Sequence, residues 1–337
     1  HPRLRRQSFG KRKQLSPHTE IPRLRSHLRF SARVHTGRIF FSQVTKAKHQ
    51  RNFFFPPQNS LTIPVTRNTS PLAMRNEQSR MLSALPGPLL VAAGPWSSGE
   101  VSGEPLAFSD AVVAKTVTSQ PREGNPPPVL RSLGIARAET PPGYLNRIGL
   151  RNVGAASFVR DRLPQVQRCG RPIIQSFTAQ TEAEVETILE QLEPAPLLAY
   201  ELNASCPNAP SGLLSASTLG MVLRAARKRT QRPISVKLAY QTADDLLGKA
   251  RLCAEEGADA LTAINTMPAL DLNAIPLRDD SRFVGGLSGP GLTPFAQWAV
   301  SLLVREQPLP VIACGGISSL TQVLAFGALG AALTGAV

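Results

Sequence analysis

The sequence predicts an α/β fold, a (β/α)8 TIM barrel that follows a basic N-terminal extension. Short apolar runs alternate with amphipathic helices from residue 86 to the end of the chain, a pattern typical of a parallel sheet covered by helices. The 257 residues from 81 to 337 also match the roughly 250 residues of such a barrel. We therefore expect one barrel domain at 81–337.

Eight strands can be placed in chain order. The first follows the chain-breaking Pro86-Gly87-Pro88, and the second ends on Lys115 and Thr116. The predicted strands are 89–94, 111–116, 173–177, 198–205, 234–238, 260–265, 311–314 and 331–337. Because the chain stops where an eighth helix should begin, we expect a barrel that is truncated after its eighth strand.

Helix signals lie between these strands. Thr181 with Glu184, and Thr242 with Asp245, have the spacing of helix N-terminal caps, and an apolar stripe follows each pair. The second stripe includes Cys253, which we therefore assign to the core. The proline-rich residues 121–128 must be a loop. Further helices are predicted at 293–306 and 319–326.

Residues 1–80 differ from the rest of the chain in charge. They hold 17 of the 38 Lys and Arg residues, two of the 23 Asp and Glu residues and all five histidines, so the remainder carries no net charge. Such a segment can be a nucleic-acid-binding arm or an organelle transit peptide. The interpretation that we favour is sequence translated upstream of a start at Met74 or Met81. In every case its weak periodicity predicts disorder.

The cysteines and the C-terminal stretch indicate the cellular compartment of the protein and whether it spans a membrane. Cys169, Cys206, Cys253 and Cys314 have no metal-ligand or disulfide spacing, which favours a reducing cytoplasm and no metal. The stretch after Glu306 has no charged residue, but prolines and glycines interrupt it. It therefore predicts buried strands and a helix rather than a membrane span.

The octet at 201–208, ELNASCPN, joins a buried strand to a polar turn. Tyr200 and Leu202 alternate with Glu201 as in a strand, and Pro207 ends the ladder. Cys206 is then either a small core residue in a turn or a catalytic thiol, and the octet alone favours neither.

Polar residues and glycines recur at the C-terminal ends of the predicted strands, the face on which such barrels build active sites. Asparagine amides suit a planar ring with amide and carbonyl edges, and buried lysines need an anionic partner. Glycines at the last two strands suit a phosphate. With every histidine in 1–80, proton transfer falls to Cys206, a lysine or an acid. The set comprises Lys115, Asn146, Asn203, Ser205, Cys206, Asn208, Lys237, Asn265, Thr266, Gly285, Gly286, Gly315, Gly316 and Gly335.

From residue 86 onwards the chain resembles the dihydroorotate dehydrogenase family, specifically its soluble class. The matching motifs are ELNASCPN at 201–208, Lys115-Thr116 followed by REGNPPP, NRIGL at 146–150, VKL at 236–238 and Gly-Gly-x-Ser-Gly at 285–289. The resemblance implies an FMN-dependent, cytoplasmic oxidoreductase of pyrimidine biosynthesis that oxidises dihydroorotate to orotate. Cys206 indicates the soluble class, because the membrane-bound class has a serine there.

The resemblance also implies a role for each matching residue. Cys206 would take a proton from substrate C5 while a hydride leaves C6 for the flavin, with Lys115 between flavin and substrate. Lys237 would stabilise negative charge on the reduced flavin. The implied substrate-binding residues are Asn146, Gly149, Leu150, Asn203, Asn208, Asn265 and Thr266. The implied FMN-binding residues are Ala93, Gly94, Lys115, Thr116, Lys237, Gly286, Gly315, Gly316, Thr334 and Gly335.

The chain departs from the family pattern at three places. Val91 and Ala93 replace an asparagine and a serine of the first strand, and the last phosphate turn, usually Gly-Thr, is Thr334-Gly335. Ala239 replaces the usual proline after VKL.

Other functions and several partners remain open. The alternatives are a uracil reductase similar to dihydropyrimidine dehydrogenase, a flavin-binding barrel without turnover, and a nucleic-acid-binding protein that depends on residues 1–80 alone. Within the resembled family, the electron acceptor is fumarate, or NAD through an iron–sulfur and FAD subunit. The CPNAPSG run at 206–212 favours the self-contained homodimer. We expect dihydroorotate as the substrate, and neither nucleic acid nor membrane as a partner.

Overall fold

A computed structural model describes residues 79–94, 98, 109–133, 143–205, 212–271, 283–331 and 333–336, together with two strands nearer the N-terminus. The chain divides into two units, His1–Asn68 and Thr69–Val337. In the first unit, β1 (Phe30–His35) and β2 (Arg38–Gln43) form an antiparallel hairpin. The expected disorder of residues 1–80 concerns mainly residues outside the described ones, and it stays a prediction.

The second unit alternates strands and helices. In chain order its elements are α1 (Arg80–Ala84), β3 (Leu89–Val91), β4 (Ala111–Val117), β5 (Leu130–Leu133), β6 (Gly143–Asn146), α2 (Ala155–Ser157), a π-helical turn (Phe158–Arg162), α3 (Leu163–Gln167), β7 (Ile173–Phe177), α4 (Glu182–Leu192), β8 (Ala199–Asn203), α5 (Ala216–Arg229), β9 (Ile234–Leu238), α6 (Ala243–Glu255), β10 (Ala260–Ala263), β11 (Met267–Asp271), β12 (Phe283–Ser288), a 3₁₀ turn (Pro290–Leu292), α7 (Thr293–Glu306), β13 (Val311–Cys314), α8 (Leu320–Ala328) and β14 (Leu333–Ala336).

Within this described part of the chain, eight parallel strands close into a barrel. Their order is β3-β4-β7-β8-β9-β10-β13-β14, and β14 pairs with β3 to complete the ring. The last strand, β14, pairs with both β13 and β3, since its residue Gly335 is opposite Cys314 on one side and Leu90 on the other. The prediction of a (β/α)8 barrel is therefore confirmed, with β7, β9 and β13 at their predicted bounds.

Two apolar layers hold the barrel. The outer layer lies between strands and helices and includes Tyr200, Leu202 and the apolar stripes of α4, α5, α6 and α7. The inner layer fills the N-terminal end of the barrel, where Met81 of α1 packs against Leu90 and Ile174. Since side chains alternate along a strand, these two layers identify which residues face the barrel interior.

The predicted helix starts are capped by their own side chains. The Thr181 hydroxyl accepts from the Glu184 backbone N–H at 3.2 Å, and the Thr242 hydroxyl accepts from that of Asp245 at the same distance. The Glu184 carboxylate accepts from the backbone N–H of Gln180 at 2.6 Å, one residue before the expected partner in a capping box. The caps fix where α4 and α6 leave the sheet.

A second, four-stranded antiparallel sheet was not predicted. Its order is β11-β12-β6-β5, and none of these four strands was among the predicted ones. Gly285 and Gly286 were expected at the C-terminal end of a barrel strand, but they lie within β12, where Gly286 is opposite Asn146 of β6. A Cβ at Gly285 would lie 2.6 Å from the backbone oxygen of Asn146, so this glycine permits the close approach of the two strands.

No described helix has both the length and the apolar character that crossing a membrane requires.

Candidate active site

A chain of hydrogen-bonded side chains crosses the C-terminal mouth of the barrel. Thr116 at the end of β4 and Ser176 of β7 share a hydrogen bond of 2.9 Å between their hydroxyls. The Asn203 side-chain amide at the end of β8 donates to the Thr116 hydroxyl at 3.0 Å. All three residues are buried, so three consecutive barrel strands are tied together by polar groups away from solvent.

The chain continues through the residue that precedes Cys206. The Asn203 carbonyl oxygen accepts from the Ser205 backbone N–H at 3.1 Å and from its hydroxyl at 2.8 Å. The Asn265 side chain, just after β10, donates to both the backbone oxygen and the hydroxyl of Ser205 at 3.0 Å. Its own carbonyl oxygen accepts from the Thr266 backbone N–H at 2.8 Å. Cys206 and Asn208 lie outside the described residues.

The two lysines occupy different depths. Lys237 on β9 is only 5% exposed, and its ammonium acts electrostatically on the Cys314 thiol at the end of β13. Burial raises the pKa of that thiol, and the Lys237 ammonium opposes the rise. Lys115 on β4 is half-buried, and its backbone oxygen accepts from the Gln175 side chain at 3.0 Å.

The antiparallel sheet places a further group of predicted residues together. Asn146 ends β6 opposite Gly286 of β12, and its side-chain amide donates to the Gly286 backbone oxygen at 3.2 Å. Gly149 and Leu150 follow with positive φ angles of 74° and 59°. Leu150 has the only described positive φ at a residue other than glycine, in a conformation that the fold must hold against side-chain strain.

Leu150 also lines a cavity of about 250 Å³ at the rim of the barrel. The polar residues around it include Thr118, Gln120 and Arg122 from the segment after β4. The Gly149 φ favours glycine, and a Cβ there would also lie 2.8 Å from the Asn125 side-chain nitrogen.

Glycines form the turns at the end of the barrel cycle. Gly315 and Gly316 follow β13 with φ angles of 110° and 73°. Thr334 and Gly335, expected to form the last phosphate turn, instead lie within β14, paired on both sides, and Gly335 is buried there. Ala93 and Gly94, which were also expected to bind FMN, are half-buried directly after the neighbouring strand β3. Successive glycines of positive φ can turn their backbone N–H groups towards one point, which is how anions are held without a cationic side chain.

The site also contains buried polar residues that sequence reasoning missed. Ser176 joins the hydrogen-bonded chain, and three other residues face the barrel interior beside Lys237: Glu201, Thr262 and Cys314. Strand alternation could have placed Glu201 and Cys314 inside, since each is two residues from another inward position. Their proximity depends on the register between strands, which the sequence does not specify.

Comparisons with known proteins agree on one family. The family model described as dihydroorotate dehydrogenase matches residues 78–336. The chain is 35% identical over 253 residues to a Pelobacter propionicus protein named dihydroorotate dehydrogenase B (NAD(+)), catalytic subunit, with 72% of this chain and 80% of the relative covered. Proteins of the same name are 36% identical in Desulforudis audaxviator (72% and 79% covered) and 34% identical in Geobacter sulfurreducens (73% and 81% covered).

Proposed function

The chain belongs to the dihydroorotate dehydrogenase family, and we propose that its barrel oxidises dihydroorotate to orotate, with FMN as the hydride acceptor and Cys206 as the base. The observation that carries this proposal is the buried chain of hydrogen bonds from Thr116 through Asn203 to Ser205, the residue directly before Cys206. It gives the barrel mouth a rigid, neutral polar surface that ends at the residue before Cys206 in the chain.

The described residues fit FMN. The mouth of the barrel offers amide donors and acceptors for a planar ring, the buried ammonium of Lys237, and the positive-φ glycines 315 and 316 for a phosphate. When bound, FMN supplies a two-electron acceptor for the hydride from substrate C6. Lys115, Lys237 and the glycines after β13 and in β14 would hold it.

The residues of this chain would carry out the proton transfer and hold the substrate. Cys206 would take the proton from substrate C5, which requires a thiolate and therefore a pH near or above the ordinary thiol pKa of about 8.5. Asn146, Asn203, Asn208 and Asn265 would hold the pyrimidine ring and its carboxylate through neutral hydrogen bonds. Because Asn203 and Asn265 are already oriented by Ser205, little ordering would be needed when the substrate binds.

The named relatives are catalytic subunits of NAD(+) enzymes, and these names support a partner subunit for this chain too. We propose that it passes electrons to NAD through an iron–sulfur and FAD subunit rather than to fumarate, with the barrel itself forming a homodimer. A cytoplasmic location accords with this assignment.

The purified chain provides the test. Supplied with FMN, it should become yellow, and anaerobic addition of dihydroorotate should bleach the flavin absorbance. Dihydrouracil, which lacks the carboxylate, should bleach it far more slowly. Retention of flavin without bleaching by dihydroorotate would instead indicate a binding barrel without turnover, and faster bleaching by dihydrouracil would indicate a uracil reductase.

A further inference from the structure

A carboxylate lies inside the barrel beside the lysine assigned to the flavin. Glu201 of β8 is 2% exposed. Its neighbours Tyr200 and Leu202 belong to the outer apolar layer, so alternation directs Glu201 into the barrel. Of the acidic residues that the structure describes, one other is buried, and it forms an ion pair within the antiparallel sheet. Among the residues that the structure describes, Glu201 is therefore the one buried acid inside the barrel.

Strand register brings Glu201 and Lys237 to the same face. Glu201 lies opposite Ser235 on β9, and Lys237 is two residues further along that strand, again facing inward. Cys314 on β13 also faces inward, because Ile312 two residues before it belongs to the inner layer. Burial raises the pKa of its thiol, the Lys237 ammonium lowers it, and the Glu201 carboxylate raises it. An acid, an ammonium and a thiol therefore face the barrel interior below its mouth, with Lys237 opposite Asn203 and Glu201 two residues deeper on the same strand as Asn203.

Two side-chain oxygen atoms in this part of the barrel interior are unpaired. Glu201 Oε1 and Thr262 Oγ1 are buried and have no hydrogen-bond partner among the described residues. Thr262 faces inward from β10, because Ala260 belongs to the inner layer, whereas Leu261 and Ala263 belong to the outer one. Buried polar atoms normally have a hydrogen-bond partner. Because Glu201 Oε1 has none here, no local donor compensates its negative charge, and that charge acts on the groups around it.

We propose that Glu201 is a positioning residue of the flavin site, acting through Lys237 to set how strongly the bound flavin holds electrons. The carboxylate supplies a negative charge inside the barrel that offsets the burial of the Lys237 ammonium when no negative charge lies above it. When reduction places negative charge near that ammonium, the carboxylate opposes it. This inference depends on the proposed FMN site.

The charge of Glu201 predicts a direction for the flavin midpoint potential. Removing a buried negative charge beside Lys237 should favour the reduced flavin and make the potential more positive. We expect at least a tenfold change in the equilibrium between oxidised and reduced flavin in Glu201→Gln. That corresponds to about 30 mV for a two-electron couple.

The experiment compares the potentials of FMN-loaded variants by titration against reference dyes. Thr262→Val is the matched control, because it removes a buried hydroxyl from the neighbouring strand position opposite Lys237 without a change of charge, and its potential should stay at the wild-type value. Glu201→Asp keeps the charge but withdraws it by one methylene. It should shift the potential in the same direction by less than the Gln variant, so it tests the proposal even if Glu201→Gln does not fold.

The outcomes separate this inference from the function on which it depends. Wild-type protein that binds no flavin would overturn both. Wild-type protein that is bleached by dihydroorotate, with Glu201→Gln and Glu201→Asp at an unchanged or more negative potential, would overturn the role of Glu201 alone. A purely structural Glu201 would lower the thermal stability of its variants while leaving the potential unchanged.

Discussion

The side-chain amide of Asn203 donates a hydrogen bond of 3.0 Å to the hydroxyl of Thr116, although the strands that carry them are not neighbours in the barrel. Strand β7 lies between β4 and β8, so the bond passes in front of it on the interior side, where Ser176 also bonds to Thr116. The orientation of the amide that the substrate would contact is therefore set by two other strands.

Thr116→Val should loosen this arrangement. The substitution leaves the buried amide of Asn203 and the hydroxyl of Ser176 without their partner, which costs about 1–3 kcal/mol. We expect that loss in the free energy of unfolding from urea denaturation, together with a raised KM for dihydroorotate. Thr116→Ser keeps the hydroxyl and should retain most of the stability. Equal losses in both variants would mean that packing, not hydrogen bonding, decides the position.

Gly316→Ala should impair the turn after β13. A Cβ at this glycine would lie 2.7 Å from the Thr293 backbone nitrogen, and the φ of 73° is itself unfavourable for alanine. We expect a clear fall in melting temperature and weaker retention of FMN. The control is Gly327→Ala in α8, where no atom lies within 4 Å, and helix propensity should make it neutral or stabilising by about 0.5–1 kcal/mol. Normal FMN retention in Gly316→Ala would exclude this turn from the cofactor site.

Thiol labelling should separate the cysteines by burial. Desolvation raises the pKa of Cys253 to about 12, so almost none of it is thiolate at pH 8.5, while Cys169 is only partly buried. We expect iodoacetamide to label Cys169 at least about a hundredfold faster than Cys253 in the native protein, measured by peptide mass spectrometry. Both should label readily in guanidinium chloride. Rapid native labelling of Cys253 would contradict its place in the core.

The raised pKa of Cys253 also predicts that the protein becomes less stable at high pH. The unfolded thiol ionises near pH 8.5 and the folded one near 12, so the unfolded chain loses its proton first. The contribution of Cys253 to the free energy of unfolding is therefore complete below about pH 8.5 and is lost as the pH rises towards 12. Burial raises the pKa of the Tyr200 hydroxyl in the same direction.

The barrel could be predicted because its strands are buried on both faces and form continuous apolar runs, as Ile173–Phe177 does. The antiparallel sheet could not, because β11 contains Pro268 and β12 contains two glycines, which are turn signals in a sequence. In the structure β11 is an edge strand, where proline is tolerated, and the glycines allow close strand contact.

The candidate site, like the fold, could be predicted only in part from the sequence. Residues at strand ends could be collected, since parallel strands end at one face, and the structure brings Thr116, Asn203 and Asn265 into one network. Ser176 and Glu201 lie further inside, where their contacts follow from register between strands rather than from any local pattern. The roles of Cys206 and Asn208 stay predictions.

The rate of anaerobic flavin bleaching by dihydroorotate, measured by stopped flow for wild type and Cys206→Ala across pH 6–10, tests the central claim most directly. The wild-type rate should rise with pH through the neutral-to-alkaline range as the thiolate forms. Cys206→Ala should retain the flavin spectrum but bleach about 10²–10⁴-fold more slowly, as expected for loss of a general base, whereas Cys169→Ala should match wild type. Bleaching of Cys206→Ala at the wild-type rate and with the same pH dependence would contradict the assignment of Cys206 as the base.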